Sequence, residues 1–218
     1  MTAAMEQEQA LLSAEEKDIL QEIMNIAFGQ AAAELAEIIN IFVVLNVPFI
    51  KVLKAVDLPA FLKAEIADYE AICMVEQHFW GEFKGSAFLI FPAGSGKELV
   101  TIMGEEGTIF PFESAEVDGM ERETLMEVGN ILIGACVGKV AELLGDRVTY
   151  SPPRVVVENF ASDAIPVETF DLQSSAVVLR TIFTFKERAV SGFLFLVSKY
   201  ESIAWLRKAL MVFMEQYE

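Results

Sequence analysis

Two carboxylates, an amide and a glycine recur at one spacing in two places: Asp18, Glu22, Asn25 and Gly29, then, 105 residues on, Glu123, Glu127, Asn130 and Gly134. Ionised carboxylates accept hydrogen bonds and pair with cations, and a neutral amide both donates and accepts. Such side chains hold and orient other groups. With 3.6 residues per helical turn, positions i, i+4, i+7 and i+11 share one narrow face, so each set forms a polar ridge ending at glycine. A solvated helix face accounts for charged residues. It does not account for Asn, whose amide competes for backbone hydrogen bonds, or for mid-helix Gly, which costs roughly 1 kcal/mol relative to Ala. Both choices, made twice at identical spacing while most surrounding positions have diverged, mark the ridges as functional.

The ridges belong to a longer repeat. Asp18 to Ile50 aligns without a gap on Glu123 to Val155, matching Leu20 with Leu125, Ile26 with Ile131, Ala36-Glu37 with Ala141-Glu142 and Pro48 with Pro153. One duplication is not a solenoid and implies two halves about a pseudo-twofold axis. In the first half, Ser13-Ala14-Glu15-Glu16 reads as a capping box opening a helix to about Ile39, with Asn40 as its stop. Its buried stripe is Ile19, Leu20, Ile23, Ile26, Ala27, Ala31 and Leu35. A strand, Ile41 to Val47, ends at Pro48 or carries it at a sheet edge. A hairpin of Glu70–His78 and Ser86–Phe91 and a short helix, Glu98–Met103, complete that half. An acidic connector, Gly104–Gly119, leads to a helix from about Met120 to Leu144, with Gly145 as C-cap. A strand at Arg147–Tyr150, a hairpin of Val177–Phe185 and Ala189–Val197 around Lys186-Glu187-Arg188, and a terminal helix, Tyr200–Tyr217, repeat the plan. The expected fold class is α+β, an internally duplicated pseudo-twofold domain with an antiparallel sheet flanked by long helices. Residues 1–13 are an N-terminal extension, and 14–218 form one domain of two halves, about 14–104 and 120–218.

Composition narrows the function. The 218 residues are 54% hydrophobic, enough for a sizeable core, and 33 acidic against 16 basic residues leave a net charge of −17. No Lys/Arg stripe is present to neutralise phosphates, so nucleic acid is not an expected partner. No apolar run approaches the roughly 20 residues that span a bilayer, and Met1–Ala14 lacks the basic start of an export signal. The chain is expected to be soluble and cytoplasmic, without membrane insertion. Cys73 and Cys136 read as core residues. Gly94-Ser-Gly-Lys97 lacks Gly at Phe91 and Ser or Thr at Glu98, so it is a turn and helix start, not a phosphate loop. His78 has no nucleophile motif near it and reads as a packed or edge histidine. Trp80, Phe88, Phe91, Phe183, Phe185, Met211 and Met214 read as core.

The pattern Asp or Ser, three residues, Glu, two residues, Asn, twenty-two residues and Pro resembles the signature of the CheC, CheX and FliY phosphatases of bacterial chemotaxis. The first copy, Asp18, Glu22, Asn25 and Pro48, matches throughout, whereas the second has Glu123 where Asp or Ser is expected. Two copies in one chain is the CheC arrangement. The resemblance implies a CheC-like fold and hydrolysis of the aspartyl phosphate of a CheY-like response regulator. It casts Asn25 and Asn130 as orienting the attacking water, and Glu22 and Glu127 as binding the regulator's active-site lysine. Asp18, Gly29, Glu123 and Gly134 would flank the partner. No metal site is expected in this chain, and Mg2+ would come with the regulator. Proximity rather than proton transfer would supply the rate.

A second reading is a non-catalytic adaptor for a response regulator, or a module related to the flagellar switch. Relatives of that kind lack the Glu and Asn pair, so its presence twice favours the enzyme. Whether a deamidase such as CheD docks stays open. Both amides should be exposed on two long helices. Gly129 before Asn130 is expected to leave more open surface than Met24 beside Asn25, giving the second site at least half of the turnover.

Overall fold

The computed structural model describes residues 12–39, 42–103, 115–158, 175–186 and 190–215. The capping box forms as its residues dictate: the Ser13 amide donates to Glu16 Oε2 at 2.7 Å, and the Glu16 amide donates to Ser13 Oγ at 3.1 Å. It opens α1, Ala14–Ile39. The buried stripe is Leu20, Ile23, Met24, Ala27, Phe28, Ala31 and Leu35, while Ile19 and Ile26 are only half-buried at its margin. The proposed stop at Asn40 lies outside the described residues, as do residues 1–11.

The second long helix, α4, runs Ala115–Leu143 and so begins earlier than expected, taking in Gly119. Gly145 ends it at φ 73°. The Gly145 amide donates to Glu142 O at 3.1 Å and the Asp146 amide to Ala141 O at 2.8 Å, the paired bonds of a Schellman motif.

Between and after these helices lie β1 (Val43–Leu45), β2 (Phe49–Lys54), α2 (Leu58–Glu65), β3 (Ile72–Trp80), β4 (Gly85–Pro92) and α3 (Ser95–Met103). After α4 come β5 (Thr149–Tyr150), β6 (Arg154–Glu158), β7 (Ser175–Phe185), β8 (Val190–Lys199) and α5 (Ile203–Glu215). The strands form one antiparallel sheet in the order β1-β7-β8-β4-β3-β5, with β2 also on β7 and β6 also on β3. The hairpins and terminal helix stand where expected, although residues 187–189 and the helix end proposed at Tyr217 lie outside the described residues. Among the strands and α-helices of the described residues, β2, β6 and α2 were not anticipated. β1 and β5 do stop short of Pro48 and Pro153, but a further strand follows each proline. Each interrupts the ladder, which resumes one residue later at Phe49 opposite Arg180 and at Arg154 opposite Glu76.

The strands that follow each long helix pair with the hairpin of the other half. β1 and β2 lie on β7, β5 and β6 lie on β3, and β4 and β8 meet at the centre. Alternation along β3 places Cys73, Val75 and Phe79 in the core beneath α1 and α4, and Ile72 and Met74 in a second core beneath Leu58 and Leu62 of α2. Both cysteines are buried. Trp80 and Met211, expected in the core, are 49% and 60% exposed. Trp80 ends its strand on the face opposite the main core, and Met211 lies off the α5 stripe of Ile203, Leu206 and Leu210.

Gly119–Leu143 in α4 contains an 18-residue window long and apolar enough to cross a membrane by length and composition alone. Half of it is buried inside the protein, where α4 packs on the sheet and α1. Lys139 Nζ lies 3.4 Å from Glu34 Oε2. These two residues occupy matching places in the repeat, so their contact marks the pseudo-twofold axis.

Arg207 of α5 donates from Nε to Glu16 Oε1 at 2.7 Å, tying the last helix to the first. Burial pushes the Glu16 carboxyl up, but the Ser13 amide and the Arg207 guanidinium outweigh it and hold the carboxyl below its ordinary 4.5. A carboxyl with a depressed folded value stabilises above its unfolded value and loses that contribution as pH falls through the folded one. Urea titrations from pH 6 to 3 should therefore show wild type losing stability below about 4.5 more steeply than Glu16→Gln. Parallel curves would rule out this role for Glu16.

Candidate functional site

The core faces of α1 and α4 decide where the ridges point. Leu20, Ile23, Met24 and Ala27 are buried on α1, as are Leu125, Val128, Leu132 and Ile133 on α4. The opposite faces turn outward. Asp18, Glu22, Asn25 and Gly29 are exposed, Glu123, Glu127 and Asn130 are exposed, and Gly134 is half-buried. Both amides therefore stand at the surface of the two long helices. Asn25 precedes Glu34 by nine residues, and Asn130 precedes Lys139 by nine, so each amide sits about 13 Å along its helix from the axis contact.

Beneath the ridges the halves differ. Gln77 of β3 is 1% exposed and shares the helix-facing side of the strand with Val75 and Phe79. Its Nε2 donates to Asn130 Oδ1 at 2.9 Å and to the backbone oxygen of Ser151 at 2.9 Å. In the other half Thr181 of β7 stands at the corresponding place, and its hydroxyl donates to Asn46 O at 2.5 Å. Asn46 matches Ser151 in the repeat. The threonine reaches only that carbonyl, and no described residue hydrogen-bonds the Asn25 amide. Sequence reasoning missed Gln77. The available signal was a polar residue on the otherwise apolar core side of the strand.

Among the described residues, a second anchor also occurs in the second half alone. The Tyr150 hydroxyl donates to Gly134 O at 3.2 Å, and burial pushes the phenol up to about 12, keeping it a donor. Leu45, its match in the first half, has no hydroxyl. Arg122, beside Glu123, donates from Nη2 to Val155 O at 3.0 Å and ties the start of this ridge to β6.

The access argument for the second site is overturned. Gly129 is buried, and a Cβ there would lie 2.6 Å from Val75 Cγ1, so this glycine admits the sheet rather than a partner. Met24 is buried at 0% and does not obstruct Asn25. Neighbours in sequence are about 100° apart round a helix, so the residue before a ridge amide faces the core. Gly94 adopts φ 87° in the turn before α3, as expected of a turn and helix start. His78 packs with Nδ1 2.9 Å from Ser86 Oγ and Nε2 3.7 Å from Glu76 Oε1.

A sequence model of the CheC-like family matches residues 15–52 and again 120–157, the segments that carry the ridges and their prolines. The CheY-P phosphatase CheC of Bacillus subtilis (strain 168) is 28% identical over 202 residues, covering 90% of this chain and 94% of that protein. Over both ridges the chain is thus similar to the CheC/CheX/FliY family. The flagellar motor switch phosphatase FliY of the same organism is 25% identical over 162 residues, which are 71% of this chain but 40% of that protein. The crystal structure of Thermotoga maritima FliY superposes with a TM-score of 0.66 at 21% identity, covering 92% of this chain and 98% of the other. That likeness establishes the shared fold.

Nothing lies within 4 Å of a Cβ built on Gly29 or Gly134. Each replaced by Ala should gain roughly 0.5–1 kcal/mol in urea denaturation, whereas Gly129→Ala should lose about 1–3 kcal/mol through overpacking on Val75. A destabilising Gly29→Ala would contradict the open ridge.

Proposed function

We propose that the chain hydrolyses the aspartyl phosphate of a CheY-like receiver domain, with one site on each ridge. The observation that carries this reading is the repeated Glu and Asn pair, turned outward one helical turn apart on both long helices of a fold shared with FliY. The name of the Bacillus subtilis relative, a CheY-P phosphatase, supports the substrate class.

An acyl phosphate is already activated, so its hydrolysis needs a water held in line and stabilisation of charge around a loose transition state. Asn25 and Asn130 do the first by hydrogen bonding. Glu22 and Glu127, one turn earlier on the same faces, pair with the receiver's active-site lysine and so fix the approach. Asp18, Glu123, Gly29 and Gly134 border the contact, the glycines leaving room for the partner. The divalent cation belongs to the receiver. No covalent intermediate forms on this chain, and the rate comes from orientation. Residues 14–218 act as one unit, a reading supported by the exchange of strands between halves.

The test follows phosphate loss from a phosphorylated receiver. Asn25→Ala with Asn130→Ala should lower kcat by about 100-fold or more while leaving KM within roughly twofold, the mark of an interaction made only in the transition state. Glu22→Ala with Glu127→Ala should instead raise KM by weakening docking. Equal phosphate release by the double Asn variant and wild type would refute the mechanism, and binding without acceleration by wild type would leave the adaptor reading.

A further inference from the structure

We infer that Gln77 is a positioning residue for Asn130, so that the second site holds its amide ready while the first orders its amide only on binding. The inference rests on the phosphatase reading for its consequence but not for its geometry. The Ser151 carbonyl can only accept, so the group that Gln77 presents to it must be Nε2 rather than Oε1. Nε2 carries two hydrogens, and the second meets Asn130. Asn130 must therefore present Oδ1 inward, because turning its amide would set N–H against N–H. Its Nδ2 then points outward with both hydrogens available, and Oδ1 keeps a lone pair for a water proton. The orientation of an exposed amide is thus dictated by a main-chain oxygen through one buried side chain.

Gln77 is poorly explained as packing. Its Oε1 is buried with no hydrogen-bond partner among the described residues, a penalty that an apolar side chain would avoid. The corresponding Thr181 serves the matching Asn46 carbonyl without reaching the ridge, so support of the strand break does not require glutamine. Only the additional reach to Asn130 does. An amide already held in one orientation avoids an ordering loss worth roughly 2- to 10-fold in rate.

Asn25→Ala and Asn130→Ala isolate the second and first sites, and Gln77→Met removes the donor at similar length. Added to Asn25→Ala, Gln77→Met should lower kcat roughly 2- to 10-fold with KM within about twofold. Added to Asn130→Ala, it should give the same phosphate-release rate as Asn130→Ala alone. A fall of both backgrounds together would indicate a general structural role, and an unchanged kcat in Asn25→Ala would show that Asn130 needs no support; either overturns the inference. Side-chain amide 15N relaxation gives a readout independent of turnover. The Asn130 amide should be more rigid than that of Asn25 in the wild type and as mobile as Asn25 in Gln77→Met, and equal mobility in the wild type would overturn the inference. A wild type that fails to accelerate phosphate loss counts against the proposed function, while the relaxation result still decides the positioning.

Discussion

Each half of this protein is incomplete without the other, because the strands after each long helix pair with the opposite hairpin. β1 and β2 find their ladder on β7, more than 120 residues away, and β5 and β6 find theirs on β3. Neither long helix has a sheet of its own half alone to cover. The exchange sets α1 and α4 together over the same face, buries Leu20, Ile23, Val128 and Leu132 between them and the strands, and leaves one outward stripe on each helix. The positions of the candidate sites follow from that pairing.

The strand exchange also explains a spacing that helix periodicity alone does not. A proline 23 residues beyond the asparagine withdraws one N–H from the ladder. Beside each break, the amides of Asn46 and Ser151 donate to Ile182 O and His78 O, while their carbonyls accept from the side chains of Thr181 and Gln77. The same backbone need is met in both copies by a residue of the other half. Because the second of these is longer, it connects the break to the ridge amide above. The two copies have kept one backbone solution and diverged in what else it supports.

Features carried by local chemistry were legible in the sequence. The reciprocal Ser13 and Glu16 bonds set the start of α1, Gly145 set the end of α4, and the 3.6-residue period placed both ridges outward. The hairpins followed from alternating and apolar runs. Features that depend on distant partners were not legible. Pro48 and Pro153 read as strand ends, since nothing local says that a hairpin from the other half will carry the ladder past them. The short helix α2 is apolar on one face only because the second face of the sheet lies there to cover. Gly129 and Met24 were read as neighbours of the amides along the chain. In three dimensions they belong to the core face, where Val75 decides that 129 must be glycine. Gln77 was invisible for a similar reason, since its role exists only when β3, α4 and the turn at Ser151 meet.

The places where this chain departs from local stability rules gather around the two ridges. An exposed mid-helix glycine is roughly 0.5–1 kcal/mol less favourable than alanine, and neither Gly29 nor Gly134 has a neighbour that would forbid a methyl group. Asn25 and Asn130 occupy helical positions where Leu, Lys or Glu would serve the helix better. Beneath the second ridge a buried amide keeps an oxygen that no described residue pairs. A duplicated fold is free to repair such defects in either copy, and many other paired positions have changed. Retention of the ridge residues in both copies therefore argues that their value lies outside the free protein, in contact with another molecule. The differences below the ridges then bear on how each site meets that molecule rather than on whether it does.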